Sequence, residues 1–366
     1  MTRKLFVAAT GQHCGKTTVA LSIFHRLKAM GKKVGFVKPV GQVYINYKGV
    51  DIDKDAAMMA EVFDIDEEDL PYLSPVLIKK GVTQDILSGN IDPKSFLEKI
   101  ETAHRYFQSK YDWLIIEGTG HAAVGSVVGV SNGVSARIFN APVLLVSGGG
   151  IGNVMDRVHS NSLVLGAEGV SVAAVMPNKI FPEKREKILY YLEQGLSNNG
   201  HLLVPGMSFC RELAHPTFRQ LATLFNEELQ GDMGAAGRII LHTQVAAASI
   251  HRMSHILQDD SAMVIPGTRD EMIISMASMY GLEEFRNKIA GIIISGEPKV
   301  DELPTNILRA SGIPYFKSNL TSMACIKKIQ DFQTKLNAKD LAKIAFLKKL
   351  AEEQLDMDAV QNLFSE

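Results

Sequence analysis

Apolar positions in the first two hundred residues come as short continuous runs separated by stretches with helical spacing. Residues 5–9 (LFVAA), 34–37 (VGFV), 113–116 (WLII), 143–147 (VLLVS) and 171–176 (SVAAVM) read as strands buried on both faces. Between the first two, 16–30 reads as a helix with Ala20, Ile23, Phe24 and Leu27 on one face. Alternation of strand and helix at this spacing predicts an α/β domain built on a doubly wound parallel sheet. Such sheets take ligands outside the carboxyl ends of their strands, so the loops after these runs are where chemistry is expected.

The pattern pauses at Leu203-Val204-Pro205-Gly206. Residues 207–230 are polar with helical spacing, and 231–237 (GDMGAAG) have the small-residue composition of a loop. A second series of strands is expected at 239–241, 263–265, 292–294 and 315–316. From 338 onward Lys, Glu, Leu and Ala dominate, as in one or two helices. The expected organisation is therefore a first domain over 1–206, a smaller α/β domain over 207–325 and a C-terminal helical segment over 326–366. The two series share no motif, so a duplication is not indicated.

Composition narrows the class. The 366-residue chain is 46% hydrophobic and 22% charged, enough to bury sizeable cores. Its 39 basic and 40 acidic residues leave a net charge of -1, which gives no global electrostatic case for nucleic acid or an acidic membrane. No apolar run approaches the roughly 20 residues that span a bilayer. The apolar stretch in MTRKLFVAATGQ is too short for a signal peptide, so a cytoplasmic location is expected. Cys14, Cys210 and Cys325 lie far apart, which argues against a disulfide framework or a thiolate zinc site.

The sharpest chemical signal is Thr10-Gly11-Gln12-His13-Cys14-Gly15-Lys16-Thr17-Thr18, which follows an apolar strand and opens a helix. That is the context of a P-loop, whose turning backbone presents N–H groups to phosphate oxygens at a helix N-terminus. Lys16 would reach the β- and γ-phosphates and Thr17 would offer its hydroxyl to Mg²⁺. The usual spacing has glycine where this chain has Thr10. A second cation, Lys38, follows the 34–37 strand, and Asp51, Asp53 and Asp55 follow in what reads as a polar loop. Glu117 ends the 113–116 run directly, where a Mg²⁺-organising carboxylate belongs, although a solvated strand-end acid is the plain alternative.

These segments, in this order, resemble the dethiobiotin synthetase-like P-loop family, in which Thr also stands at the position of Thr10. The resemblance covers about 1–206. It implies that Lys16 and Lys38 hold phosphates and an activated carboxyl or carbamate group. It further implies that Thr17, Asp55 and Glu117 hold Mg²⁺ and that Asn178, in Pro177-Asn178-Lys179, reads adenine. Glu117-Gly118-Thr119-Gly120-His121-Ala122 together with Ser147-Gly148-Gly149-Gly150-Ile151-Gly152 is similar to the N-terminal portion of long bacterial phosphotransacetylases. Val264-Ile265-Pro266-Gly267-Thr268-Arg269-Asp270 and Gly291-Ile292-Ile293-Ile294-Ser295-Gly296 are similar to the DRTGG domain that follows the P-loop domain there, without the pentapeptide that names it. No acetyltransferase domain is expected in this chain, so it should not make acetyl phosphate.

Other signals are weaker. Gly148-Gly149-Gly150-Ile151-Gly152 lacks the third glycine of a dinucleotide fingerprint, Met155 standing there, and reads as a tight loop beside the site or a dimer contact. His251 and His255 share a helix face without an intervening Glu, so solvated or capping roles are favoured over zinc. Cys14 is read as a small residue packing the P-loop rather than a redox switch, and Arg269 as either a surface residue or an anion ligand. Met263, Met272, Met276 and Met279 read as core packing.

The favoured expectation is an ATP- and Mg²⁺-binding protein with slow hydrolysis, whose second domain senses a small molecule or transmits to a protein partner. The alternative is an ATP-dependent ligase or cyclo-ligase activating a carboxylate or carbamate. For that reading the loops differ: dethiobiotin synthetases usually follow the acid with Gly-Ala-Gly-Gly and an aromatic, and carry small hydroxyl residues after Lys-Pro-Val where this chain has Gly41-Gln42. No glutaminase nucleophile elbow follows residue 206 either. The family resemblance implies a homodimer.

Overall fold

The computed structural model describes residues 2–297 and 300–364. The chain forms two compact units, Met1–Phe209 with Leu347–Glu366, and Cys210–Phe346; Met1, Ser365 and Glu366, which the expected domain limits include, lie outside the described residues. The first unit carries a six-stranded parallel sheet in the spatial order Leu202–Leu203, Val172–Asn178, Val143–Gly148, Arg3–Ala9, Trp113–Glu117, Val34–Val37. The first strand is the switch point: the chain moves from it to one side through Val34–Val37 and later to the other through Val143–Gly148. Its carboxyl end is therefore the crevice where a doubly wound sheet binds ligand.

The strands are apolar throughout because both faces are covered, and Leu5, Phe6, Val7, Ala8 and Ala9 are fully buried. The helix Lys16–Ala29 buries the expected Ala20, Ile23, Phe24 and Leu27, and also Val19, Leu21 and Ser22. Burying Phe24 alone is worth about 1.5–3 kcal/mol. Arg26 and Lys28 lie in its last turn, where they complement the helix dipole. Residues from 347 onward belong to this unit. Leu347, Leu350, Ala351, Leu355, Val360 and Phe364 are buried, and the rings of Phe364 and Trp113 meet edge-on at 4.8 Å. The expected separate segment over 326–366 is thus divided: the helix Ser322–Gln330 lies in the second unit, and the helix Met357–Gln361 in the first.

The second unit has a four-stranded parallel sheet, His242–Val245, Ser261–Pro266, Ile289–Ser295, Tyr315–Ser318. Alternation puts Ala262, Val264 and Ile293 in one core and Met263, Ile265, Ile292 and Ile294 in another. Met272, Met276 and Met279 join Met263 in the latter, packing as expected. Two local expectations are corrected. The strand expected at 239–241 lies at His242–Val245, because Ile240 turns into the core while its N–H bonds to Pro216 O at 2.7 Å. The helical stretch over 207–230 is two short helices, Arg211–Ala214 and Phe218–Phe225, separated at Pro216. Among the described residues no helix is long and apolar enough to cross a membrane.

Candidate functional site

The loop after the first strand turns at the switch point. Thr10 is an extension of the strand, its N–H bonding to Val146 O at 3.0 Å and its hydroxyl to Ser147 Oγ at 2.9 Å. Thr10 is not among the positive-φ residues of the loop, so its backbone has no need of glycine. The left-handed turns fall on His13 (φ 61°) and Gly15 (φ 93°). At Gly15 a Cβ would stand 2.6 Å from the amide nitrogen of Asn178, so glycine is required there both by conformation and by space. Gly15 caps the helix Lys16–Ala29, and its carbonyl accepts from the Val19 N–H at 2.9 Å and from the Thr18 hydroxyl at 2.7 Å. No acidic side chain occupies the first helical turn, which leaves the N-terminus free to meet an anion.

Around this loop the structure gathers charge. Lys16 Nζ donates to Gly120 O at 3.1 Å, and Thr17 Oγ1 donates to Glu117 Oε1 at 2.7 Å. Lys38 Nζ sits 2.9 Å from Asp53 Oδ1 and also hydrogen-bonds Asp55 Oδ2. Burial opposes the charge on Lys38, yet Glu117, Asp55 and Asp53 outweigh it and raise its pKa above the ordinary lysine range. Burial lowers the pKa of Lys16, offset in part by Glu117. Glu117 is itself buried, and desolvation pushes its carboxyl up to about 7, against the pull of Lys38. Its second oxygen, Oε2, is buried without a hydrogen-bond partner.

The expected trio for Mg²⁺ is thus partly assembled. Thr17 and Glu117 touch, and Asp55 is close enough to Glu117 to raise its pKa. An unpartnered carboxylate oxygen beside a hydroxyl and a second carboxylate is an all-oxygen set suited to a hard divalent cation, so these residues fit the ion. Among the described residues no group of three His, Cys, Asp or Glu side chains could hold a metal by itself.

Asn178 lies at the end of the strand Val172–Asn178, and both ends of its amide meet backbone: Nδ2 donates to Cys14 O at 3.0 Å and Oδ1 accepts from Met207 N at 3.0 Å. Cys14 is buried beside it, packing within the loop near Thr10 Oγ1. Gln12 and His13 are exposed. The triple-glycine loop passes beside the P-loop, a Cβ on Gly148 falling 3.9 Å from Cys14 Cα.

Several residues of the site escaped the sequence reading. The segment carrying the three aspartates is no loop but a hairpin, Tyr44–Tyr47 with Val50–Asp53, leading straight into the helix Lys54–Phe63. The alternation Val50-Asp51-Ile52-Asp53 after Lys48-Gly49 carried the signal for it. Asp53 caps that helix through Asp55 N at 2.9 Å, a role that an Asp before an apolar helical run announces. Asn132 holds the Gly118–His121 turn by accepting from Thr119 N and donating to Thr119 O and His121 O at 2.8–2.9 Å. Lys179 donates to His13 O at 2.9 Å. Lys179 stands 166 positions from the carbonyl it holds and Asn132 11 to 13 from its turn, and nothing local marked either bond.

In the second unit the weaker candidates stay apart. His251 and His255 are exposed with rings edge-on at 4.9 Å, and Arg269 pairs with Glu271 and reaches Ala247 O at 3.3 Å.

Comparison with known proteins agrees with this division of the chain. A family model described as an AAA domain (AAA_26) matches residues 3–206, and one described as a DRTGG domain matches 222–332. The ATP-dependent dethiobiotin synthetase of Endomicrobium trichonymphae is 28% identical over 208 residues, 56% of this chain and 84% of that protein. The phosphate acetyltransferase of Pseudomonas aeruginosa is 24% identical over 335 residues, 84% of this chain but only 44% of that protein. A similar enzyme of Pseudomonas putida aligns over 96% of this chain and 50% of its own length, at 22% identity. The chain thus spans about half the length of the phosphate acetyltransferases it matches.

Proposed function

The chain belongs to the AAA domain family AAA_26, and from that premise we propose that its first unit binds ATP with Mg²⁺, hydrolyses it slowly, and passes its nucleotide state to a sensing second unit. The observation that carries this reading is the Thr17–Glu117 contact at 2.7 Å, made beneath a P-loop whose carboxylate partner keeps one buried oxygen unpaired. A buried carboxylate oxygen left without a donor is costly unless a ligand supplies what the protein withholds.

In this reading Lys16 leaves Gly120 O for the β- and γ-phosphates, and the backbone N–H groups of 11–17 cradle the phosphate chain. Bound Mg²⁺, held by Thr17, Asp55 and Glu117, would supply charge neutralisation at the phosphate oxygens. Lys38 would stabilise negative charge developing on the transferred phosphoryl group. Asn178 would read the adenine while bracing the loop. A homodimer is proposed with it, checked by light scattering on the purified chain.

Calorimetric titration with ATP, with and without Mg²⁺, followed by phosphate release, tests the proposal. Tight binding with slow release is the expected result, and no binding of ATP would overturn it.

The ligase reading is kept because the alignment covers 84% of a dethiobiotin synthetase. There Lys38 would shield a carboxyl or carbamate as ATP phosphorylates it. Phosphate release that rises sharply on adding one amine-carboxylate with bicarbonate would decide for it.

A further inference from the structure

We propose that Asp53 is a positioning residue that retains Lys38 so that Asp55 is free to exchange from Lys38 to a divalent cation. This deepens the nucleotide-and-metal reading of the same site and rests on it.

The two carboxylates that share Lys38 are held very differently. Asp53 is locked. Its Oδ1 accepts from Asp55 N at 2.9 Å, its Oδ2 accepts from Gln42 N at 3.1 Å and Val43 N at 3.4 Å, and its own N–H donates to Ser74 Oγ at 3.2 Å. Its side chain is 3% exposed, and that of Lys38 is 8% exposed. Gly41 makes this fit: a Cβ there would lie 2.7 Å from Asp53 Cβ and 2.9 Å from Oδ2, so a larger residue would push the carboxylate away. Asp55, in the first turn of the following helix, is 24% exposed.

The charge arithmetic explains why two are present. Glu117 also acts on Lys38 but would itself turn to the metal, so an ammonium whose sole contacting carboxylate leaves with it is left uncompensated, at a cost. If Asp55 were that sole partner, its move to a metal would carry the cost, and metal affinity would fall accordingly. Asp53 keeps Lys38 paired when Asp55 moves, which separates charge retention from metal ligation. Its four fixed contacts keep Asp53 from following.

The test is a Mg²⁺ titration of ADP binding by the full chain, in wild type, Asp53→Asn, Lys38→Met and the double variant. Asparagine caps helices about as well as aspartate, so Asp53→Asn keeps the bond from Asp55 N and removes the charge, while the loss of the acceptor for Gln42 N and Val43 N is common to both backgrounds and cancels in the cycle. The Mg²⁺ concentration for half-maximal effect is expected to rise about tenfold in Asp53→Asn, while metal-free ADP affinity stays within about twofold, a coupling that a double-mutant cycle resolves. In the Lys38→Met background the same substitution should have less than about a twofold effect, because no ammonium remains to be held. Equal shifts in both backgrounds, or no shift in either, would overturn the proposal. Lys38→Met alone checks it without touching Asp53: Asp55 is released, so the half-maximal Mg²⁺ concentration should fall, and a rise would count against the inference. If Mg²⁺ leaves ADP binding by the wild type unchanged, the nucleotide-and-metal reading itself falls, a result visible before any variant is made.

Discussion

Lys38 in the first unit and Lys343 in the second are both buried lysines, and their surroundings treat them in opposite ways. Lys38 lies among Glu117, Asp55 and Asp53, which overcome desolvation and hold it charged. Lys343 is buried against His215 O and the Gln220 side chain, and desolvation lowers its pKa to about 8 with Asp340 opposing. At the end of the second sheet Ser295 Oγ meets Ser322 Oγ at 2.7 Å, and the ion pairs near its strand ends, Arg238 with Asp260 and Arg269 with Glu271, are partly exposed. Buried charge of both signs also occurs at Asp69 with Lys110 and at Asp340 near Lys343, but only around Lys38 do three carboxylates and a second lysine gather at the end of a phosphate-loop strand, which is what distinguishes a site from a scaffold.

The strongest way to break this comparison is Lys16→Ala. ATP affinity should drop by about a hundredfold or more, because a charge-assisted phosphate contact worth several kcal/mol is lost. Unaltered affinity by calorimetry would make the first sheet edge a scaffold too. Glu117→Gln should come next, sparing metal-free ADP binding and removing the enhancement by Mg²⁺. An enhancement equal to that of wild type would take Glu117 out of the site.

Asn178→Ala strips donors and acceptors from Cys14 O and Met207 N, which should cost about 1–3 kcal/mol in stability. If Asn178 also reads the base, the variant should lose discrimination of ATP over GTP in competition binding; stability loss with intact selectivity would make it a brace alone.

The effect farthest from the candidate site belongs to Lys343. Its folded pKa of about 8 lies below the ordinary 10.5, so between these values the unfolded chain binds more protons than the folded one. Stability of the second unit should therefore rise as pH climbs through that window, and Lys343→Met should flatten the rise. Amide exchange of residues 217–225 at pH 7.5 and 10 measures it. Equal protection at both pH values in the wild type would show that Lys343 is held charged, as Lys38 is.

Much of this was legible in the chain. Period and run length located the long strands of both sheets, since a strand buried on both faces must be apolar throughout, and Thr10–Thr18 marked the phosphate loop. Short elements were harder. The two-residue strand Leu202–Leu203 and the pair Val40–Gly41 with Val76–Leu77 carry too few residues to show a period. The shift of the expected 239–241 strand to His242–Val245 shows the same weakness, because Ile239 makes only an isolated bridge to Thr217 and Ile240 is apolar for packing.

What the sequence determined by itself was the sheet order's raw material and the kinds of side chain at the strand ends: Lys16, Thr17, Lys38, Asp55 and Glu117 each follow a buried run or open a helix. Tertiary structure alone decided which of them meet. Thr17 and Glu117 are one hundred positions apart and touch because the strand Arg3–Ala9, whose following loop opens the helix carrying Thr17, pairs in parallel with the strand of Glu117, Val7 opposite Glu117. The backbone bonds of Asn178 and Lys179 are more remote still, 164 and 166 positions from the carbonyls they hold. Local propensity cannot encode such pairings, because a hydrogen bond's partner is chosen by where the sheet brings the two ends of the chain, and not by the residues flanking either one.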